Sequence, residues 1–363
     1  MPPGHHLIMG VPGPELDAAT ARIIRDVQPG GFILFGRNIQ DPAQVRELID
    51  NLRGEVRHAP IVTIDQEGGR VSRLKECGAE PPSAKQLREH GDLRLIERHG
   101  ALTGELLHLF GFNLDLCPVL DLSFQGDLDN SLKNRTWGET PEEVILRAGA
   151  FNRTMRDQGI LSCGKHFPGY SRAAIDPHHE LPVIARPRAE LEAAEWRPFR
   201  ELHAELDAMM IAHANYPALD DSGLPASLSA KIIRGILREE WGYQGAVISD
   251  DLDMGAIVGR YGLADSVLRA VEAGNDLLLL CHRPELIPEA ARALENLSPA
   301  RAAEAEKAIL QFREKLDPPP AFSFASHMEI DRAIYQLRVD TIGREAAALR
   351  SVEDGKRSPV ETF

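Results

Sequence analysis

Eight short apolar runs recur along the chain, at positions 6–11, 31–35, 60–65, 112–122, 160–166, 208–213, 245–250 and 276–281. Longer stretches whose apolar residues return every three or four positions lie between them, at 15–27, 43–56, 93–110, 141–158, 189–206, 230–240 and 264–273, and a last one follows Pro284. A run of four to eight apolar residues followed by a helical period predicts a strand and then a helix, and repeated alternation predicts a parallel sheet. Helix starts are marked in places: Asp41 precedes Pro42, and Thr140 precedes Pro141, Glu142 and Glu143.

Eight such units predict an α/β protein built as a single (β/α)8 (TIM) barrel over 1–316, a fold of ~250 residues plus insertions. A doubly wound open sheet is the competing arrangement, but no G-x-G-x-x-G opens the first helix and no P-loop motif occurs. After Lys315 the alternation gives way to Asp317-Pro318-Pro319-Pro320 and a final helical stretch at 330–349. Residues 317–363 are therefore expected to form a Pro-rich linker and a short C-terminal helical extension, with a polar, frayed tail from Ser351.

Charge changes the picture next. Of 363 residues, 41 are Lys or Arg and 55 are Asp or Glu, a net charge of −14. With no basic block, neither a nucleic-acid nor a membrane partner is expected, because both depend on clustered cations. Cys77, Cys117, Cys163 and Cys281 lack metal or disulfide spacing, and no run nears the ~20 apolar residues that span a bilayer. The opening Met1-Pro2-Pro3-Gly4-His5-His6 has neither the charge nor the apolar stretch of a secretory signal. The expectation is a cytoplasmic monomer with reduced thiols, no cofactor, no metal and a small-molecule partner.

The reactive groups of a parallel barrel sit at the carboxyl ends of its strands. Here the third run ends at Asp65, the fifth at Lys165-His166, the sixth at His213 and the seventh at Ser249-Asp250-Asp251. Two long loops rise above this rim. Residues 121–140 carry Arg135, and 167–187 carry Asp176, Pro177, His178 and His179. A strand-end carboxylate with a loop imidazole suits a nucleophile paired with a general acid/base, since free His titrates near about 6.5. Displacement at a sugar anomeric carbon uses such a pair.

Three segments sharpen this: Ile64-Asp65-Gln66-Glu67-Gly68-Gly69-Arg70-Val71, then Lys165-His166-Phe167-Pro168-Gly169 with Asp176-Pro177-His178, and Val247-Ile248-Ser249-Asp250-Asp251-Leu252-Asp253-Met254. In this order they resemble glycoside hydrolase family 3, in its bacterial β-N-acetylhexosaminidase (NagZ-type) branch. The resemblance implies that Asp250 is the nucleophile and that His178, oriented by Asp176, is the acid/base. It assigns sugar binding to Asp65, Arg73, Arg135, Lys165 and His166, with His213 a weaker candidate. It also implies a retaining exo-β-N-acetylglucosaminidase acting on small glycosides, muropeptides or chitooligosaccharides, without a cofactor. Where the family usually reads Lys-His-Phe-Pro-Gly-His-Gly, this chain has Tyr170 and Ser171 in place of the last His and Gly, followed by Arg172. Pro177 stands where Ser is common.

Other readings stay open on the sequence. A phosphorylase or β-glucosidase of the same family, a sugar-binding protein impaired by Tyr170–Arg172, and a metal hydrolase using His166, His178, His213 and Asp250 are the alternatives. The plain expectations beside them are that Asp251 caps a helix, that Cys163 is a packed thiol, that Arg73 and Arg135 form surface ion pairs, and that His5 and His6 face solvent.

Overall fold

A computed structural model describes residues 1–123, 131–171 and 181–351. Eight parallel strands close into a barrel: β1 (Leu7–Gly10), β2 (Gly31–Leu34), β3 (Ile61–Ile64), β6 (Leu114–Asp115), β7 (Leu161–Phe167), β8 (Ala208–Ile211), β9 (Ala246–Asp251) and β10 (Leu277–Leu280). They pair in chain order and β10 closes onto β1. The fold is the (β/α)8 barrel. An antiparallel hairpin of β4 (Gln66–Gly68) and β5 (Val71–Ser72) stands just beyond β3.

Helices α1 (Ala18–Val27), α2 (Pro42–Gly54), α4 (Leu93–Phe110), α5 (Pro141–Arg156), α9 (Leu263–Ala273) and α10 (Ile287–Leu294) fill most of the outer ring. Asp17 and Asp41 cap α1 and α2 through their carboxylates, and Thr140 with Glu143 forms a capping box on α5. Side chains such as Ile8, Ile33, Leu161 and Ile248 form a core inside the barrel, distinct from the larger core between strands and helices. The two cores explain why these strands read as unbroken apolar runs: both faces are buried.

Several expectations are corrected. The helix expected at 189–206 is broken into α6 (Arg188–Ala193) and α7 (Trp196–Leu202). Pro198 has no N–H to give the carbonyl four residues back, at Ala194, where the helix breaks. Lys231–Glu240 is wound as a π-helix. The sequence reading did not include α3 (Ala84–His90) or α8 (Gly255–Tyr261), nor did it separate α11 (Pro299–Arg313). The C-terminal helix begins earlier than expected, with Ser323 capping α12 (Phe324–Ile342), and α13 (Arg344–Ala347) follows. His6 does not face solvent: it is buried, and its Nδ1–H donates to the Asp276 carbonyl at 3.0 Å.

Candidate active site

Strict alternation along a strand would send consecutive residues to opposite faces. At two strand ends the register slips and breaks that rule. Between β7 and β8, Gly164 is level with Met209 but Phe167 with Ile211, so three steps on β7 match two on β8. Between β9 and β10, Ile248 is level with Leu277 and Asp251 with Leu279. Both slips have the character of β-bulges, which re-aim side chains near functional sites. Lys165 and His166, and likewise Asp250 and Asp251, all line one cavity at the carboxyl end of the barrel. Asp65, Arg73, Arg135, Tyr170 and His282 add to its polar wall, while Ile33, Met210 and Leu279 give an apolar floor.

The wall is held by a buried ion-pair network. Lys165 Nζ donates to Asp65 Oδ1 at 2.6 Å and pairs with Glu67 Oε1 at 2.7 Å. Arg135 grips Glu67 with a two-pronged fork, at 2.7 and 2.6 Å, and also donates to the Ser131 carbonyl. Arg73 approaches Asp65 at 3.8 Å. Burial alone would raise the Glu67 carboxyl, but Arg135 and Lys165 together override it and hold it well below the usual range. Burial likewise opposes the charge of Lys165, and Asp65 and Glu67 more than restore it. Arg135 and Arg73 are thus buried pairs, not surface ones.

One carboxylate orients the start of the long loop. Asp121 accepts from His166 N at 3.0 Å, from His166 Nδ1 at 2.8 Å and from Tyr170 N at 2.9 Å. The bond to Nδ1 fixes that nitrogen as the protonated one. The Tyr170 ring stands edge-on to His166 at 4.7 Å, and its hydroxyl lies 3.2 Å from Ser131 Oγ. On the other side, Asp250 Oδ1 accepts from the Asp251 N–H at 2.8 Å.

Of the residues singled out in the sequence, Asp65, Arg73, Arg135, Lys165, His166 and Asp250 meet in this cavity. Asp176 and His178 lie outside the described residues. His213 is not among the residues lining this cavity and bonds to the end of the strand that bears Asp250. Its Nε2 donates to the Asp251 carbonyl at 2.9 Å and its Nδ1 is 2.7 Å from Ser227 Oγ. Asp251 is not a helix cap; its Oδ1 accepts from Asp253 N and Cys281 N, tying β9 to β10. Cys163 is packed in the barrel core, and burial pushes its thiol up. Sequence reasoning missed Glu67, Asp121 and the lining role of Tyr170. Glu67 left one signal: an ammonium as buried as Lys165 calls for more than a single acceptor. Among the described residues, no group of three or more His, Cys, Asp and Glu is placed to hold a metal ion.

The family model for the glycosyl hydrolase family 3 N-terminal domain matches residues 6–311. The chain belongs to glycoside hydrolase family 3. It is 38% identical over 300 residues to a protein named beta-hexosaminidase from Alkalilimnicola ehrlichii, covering 81% of this chain and 85% of that one. A beta-hexosaminidase from Pseudomonas aeruginosa is 36% identical over 295 residues, covering 80% and 86%. Among solved structures, a family 3 β-N-acetylglucosaminidase from Paenibacillus superposes with a TM-score of 0.85 at 31% identity, over 93% of this chain and 68% of that one. NagZ from Neisseria gonorrhoeae superposes with a TM-score of 0.78 at 27% identity, over 93% and 98%. The family 3 barrel here has no helix, among the described residues, long and apolar enough to cross a membrane.

Proposed function

We propose that this protein is a retaining exo-β-N-acetylglucosaminidase that removes terminal β-linked N-acetylglucosamine from small glycosides. The observation that carries the reading is the cavity itself. Asp250 lies across it from a wall of Asp65, Arg73, Arg135 and Lys165, donors and acceptors suited to sugar hydroxyls around one pyranose. The names of the similar proteins supply the N-acetylhexosamine.

In the proposed reaction the Asp250 carboxylate attacks the anomeric carbon. The glycosidic C–O bond breaks as His178, oriented by Asp176, protonates the leaving oxygen. Water then attacks the same carbon and loses its proton to His178, and the ester to Asp250 breaks, restoring the carboxylate. Two inversions give net retention. His178 starts as the imidazolium, which does not repel the anionic nucleophile, and the first step leaves it neutral and ready to take the proton from water. Muropeptide or chitooligosaccharide fragments are the proposed substrates, with a monomer acting in the cytoplasm and a role in peptidoglycan recycling.

The test is release of p-nitrophenol from its β-N-acetylglucosaminide and its β-glucoside, with and without phosphate. Cleavage of the first substrate only, at a rate indifferent to phosphate, is expected. Tight binding of N-acetylglucosamine without turnover would replace the reading with that of a binding protein.

A further inference from the structure

The segment after the barrel reaches back to the cavity wall. Helix α12 packs on α4 and α3, beyond the 6–311 span that matches the family model. Arg338 of α12 donates to Glu80 Oε1 at 2.7 Å and to the Glu80 carbonyl at 3.1 Å, and both side chains are almost fully buried. Its other terminal nitrogen donates to the Leu349 carbonyl at 2.7 Å, which brings residues 349–351 alongside. Ser351 then donates to the same Glu80 carboxylate through its N–H and its hydroxyl. Asp331 accepts from Ala79 N and lies so close to Gly78 that a Cβ there would stand 2.2 Å from its Oδ1. Arg350 pairs with Glu76 at 2.9 Å and donates to the Lys75 carbonyl. The segment 75–81 is thus tied down by four side chains that all come from the last part of the chain.

That segment in turn carries the β4–β5 hairpin. Gly69 N donates to the Pro81 carbonyl at 2.8 Å. A Cβ on Gly68 would lie 2.3 Å from Pro82 O, and one on Gly69 would lie 2.6 Å from Ser83 Cβ. Both glycines hold positive φ, 96° and 56°, in the hairpin turn. The turn therefore sits directly on 81–83. Glu67, which binds Lys165 and Arg135, lies on one arm, and Arg73 follows the other. The links run without a gap from α12, through Glu80–Ser83, to the hairpin and the cavity wall.

We propose that the C-terminal segment 324–351 is a brace for the sugar-binding wall, with Arg338 a positioning residue that acts on Glu67 and Arg73 through Glu80 and the Gly68–Gly69 turn. The inference rests on the glycosidase reading above for its kinetic form, but the mechanical coupling stands apart from it. Loosening the brace lets the wall move while Asp250, on the opposite side, stays in place. Sugar binding then weakens more than the chemical step does.

The experiment compares Arg338→Met with Arg301→Met in the full chain. Arg301 is an equally buried arginine at the other end of the barrel, paired with Asp276 at 2.7 Å. For Arg338→Met we expect KM for p-nitrophenyl β-N-acetylglucosaminide to rise by roughly 5- to 20-fold with kcat changed by less than about 2-fold. Amide exchange in 66–77 should quicken at temperatures well below unfolding. Arg338→Lys, which keeps the charge but loses the fork, should fall between this variant and wild type. Arg301→Met should lower stability yet leave KM and that exchange unchanged. If Arg338→Met does not fold, Glu80→Gln keeps the shape and one acceptor oxygen but loses the charge and the second acceptor, and should raise KM by about 2- to 3-fold. Unchanged KM and unchanged exchange in 66–77 for the folded Arg338 and Glu80 variants would overturn the brace. A wild type without turnover would instead overturn the glycosidase reading, and the exchange comparison would still decide the brace.

Discussion

The two ends of the barrel use the same chemistry for different ends. At the amino end, Asp207 and Asp276 sit just before β8 and β10, each 1% exposed. Asp207 accepts from Ser162 N and pairs with Arg156 and Lys315, at 2.8 and 3.1 Å. Asp276 accepts from Val247 N and pairs with Arg238 and Arg301, at 2.6 and 2.7 Å. At the carboxyl end, Asp65 and Glu67 are also matched by cations, but the assembly borders a cavity with Asp250 on its far side. A buried Asp between two cations therefore marks a structural tie or a binding wall according to what it faces. Counting charged pairs does not separate the two; the cavity beside one of them does.

The sharpest way to break this comparison is to remove one carboxylate from each end. Asp250→Ala should cut kcat by about 10⁴-fold or more while stability changes by no more than about 1 kcal/mol, measured by p-nitrophenol release and urea unfolding. Asp276→Ala should do the reverse, costing roughly 3–5 kcal/mol because Arg238 and Arg301 lose a buried counter-ion, with activity per folded molecule retained. If Asp276→Ala lowers kcat in folded protein, the amino end is not merely structural.

Within the wall, Lys165→Met leaves Asp65 and Glu67 without their shared cation. A loss of roughly 100-fold in kcat/KM is expected, together with lower stability. Steady-state kinetics on a folded sample distinguishes this from Asp250→Ala, because KM should carry most of the change.

The smallest effect is a pH dependence below the wall. Asp115 is fully buried; its Oδ1 accepts from Gln66 N at 3.0 Å, and its Oδ2 has no hydrogen-bond partner among the described residues. Burial raises its pKa to about 7, with the Gln66 bond opposing the rise. A carboxyl raised in the folded state favours folding fully only below its unfolded value, and the benefit fades as pH climbs through the folded one. Asp115→Asn keeps a neutral acceptor, so its stability relative to wild type should grow by roughly 1–3 kcal/mol between pH 5 and pH 8. Thermal melts at the two pH values check this; an equal difference at both would mean that Asp115 ionises normally.

Much of the fold was legible because both faces of each barrel strand are buried, which writes the strands as plain apolar runs. Helix starts at Asp41 and Thr140 were legible because capping is local. The hairpin was not: β4 and β5 are three and two residues long, too short to show a period. Pairings such as Glu67 with Arg135, 68 residues apart, leave no local trace. Alternation alone also misplaces His166, which lines the cavity together with Lys165 where the β7–β8 register shifts.

The central claim is that Asp250 bonds to the sugar. Its most direct test is the product formed by Asp250→Ala from an activated aryl β-N-acetylglucosaminide in the presence of azide, with the anomeric configuration read by proton NMR. Azide restoring turnover and giving the α-glycosyl azide is the expected result, because the small anion attacks from the face that the carboxylate vacated. A β-glycosyl azide, or full turnover by the variant without azide, would contradict the account.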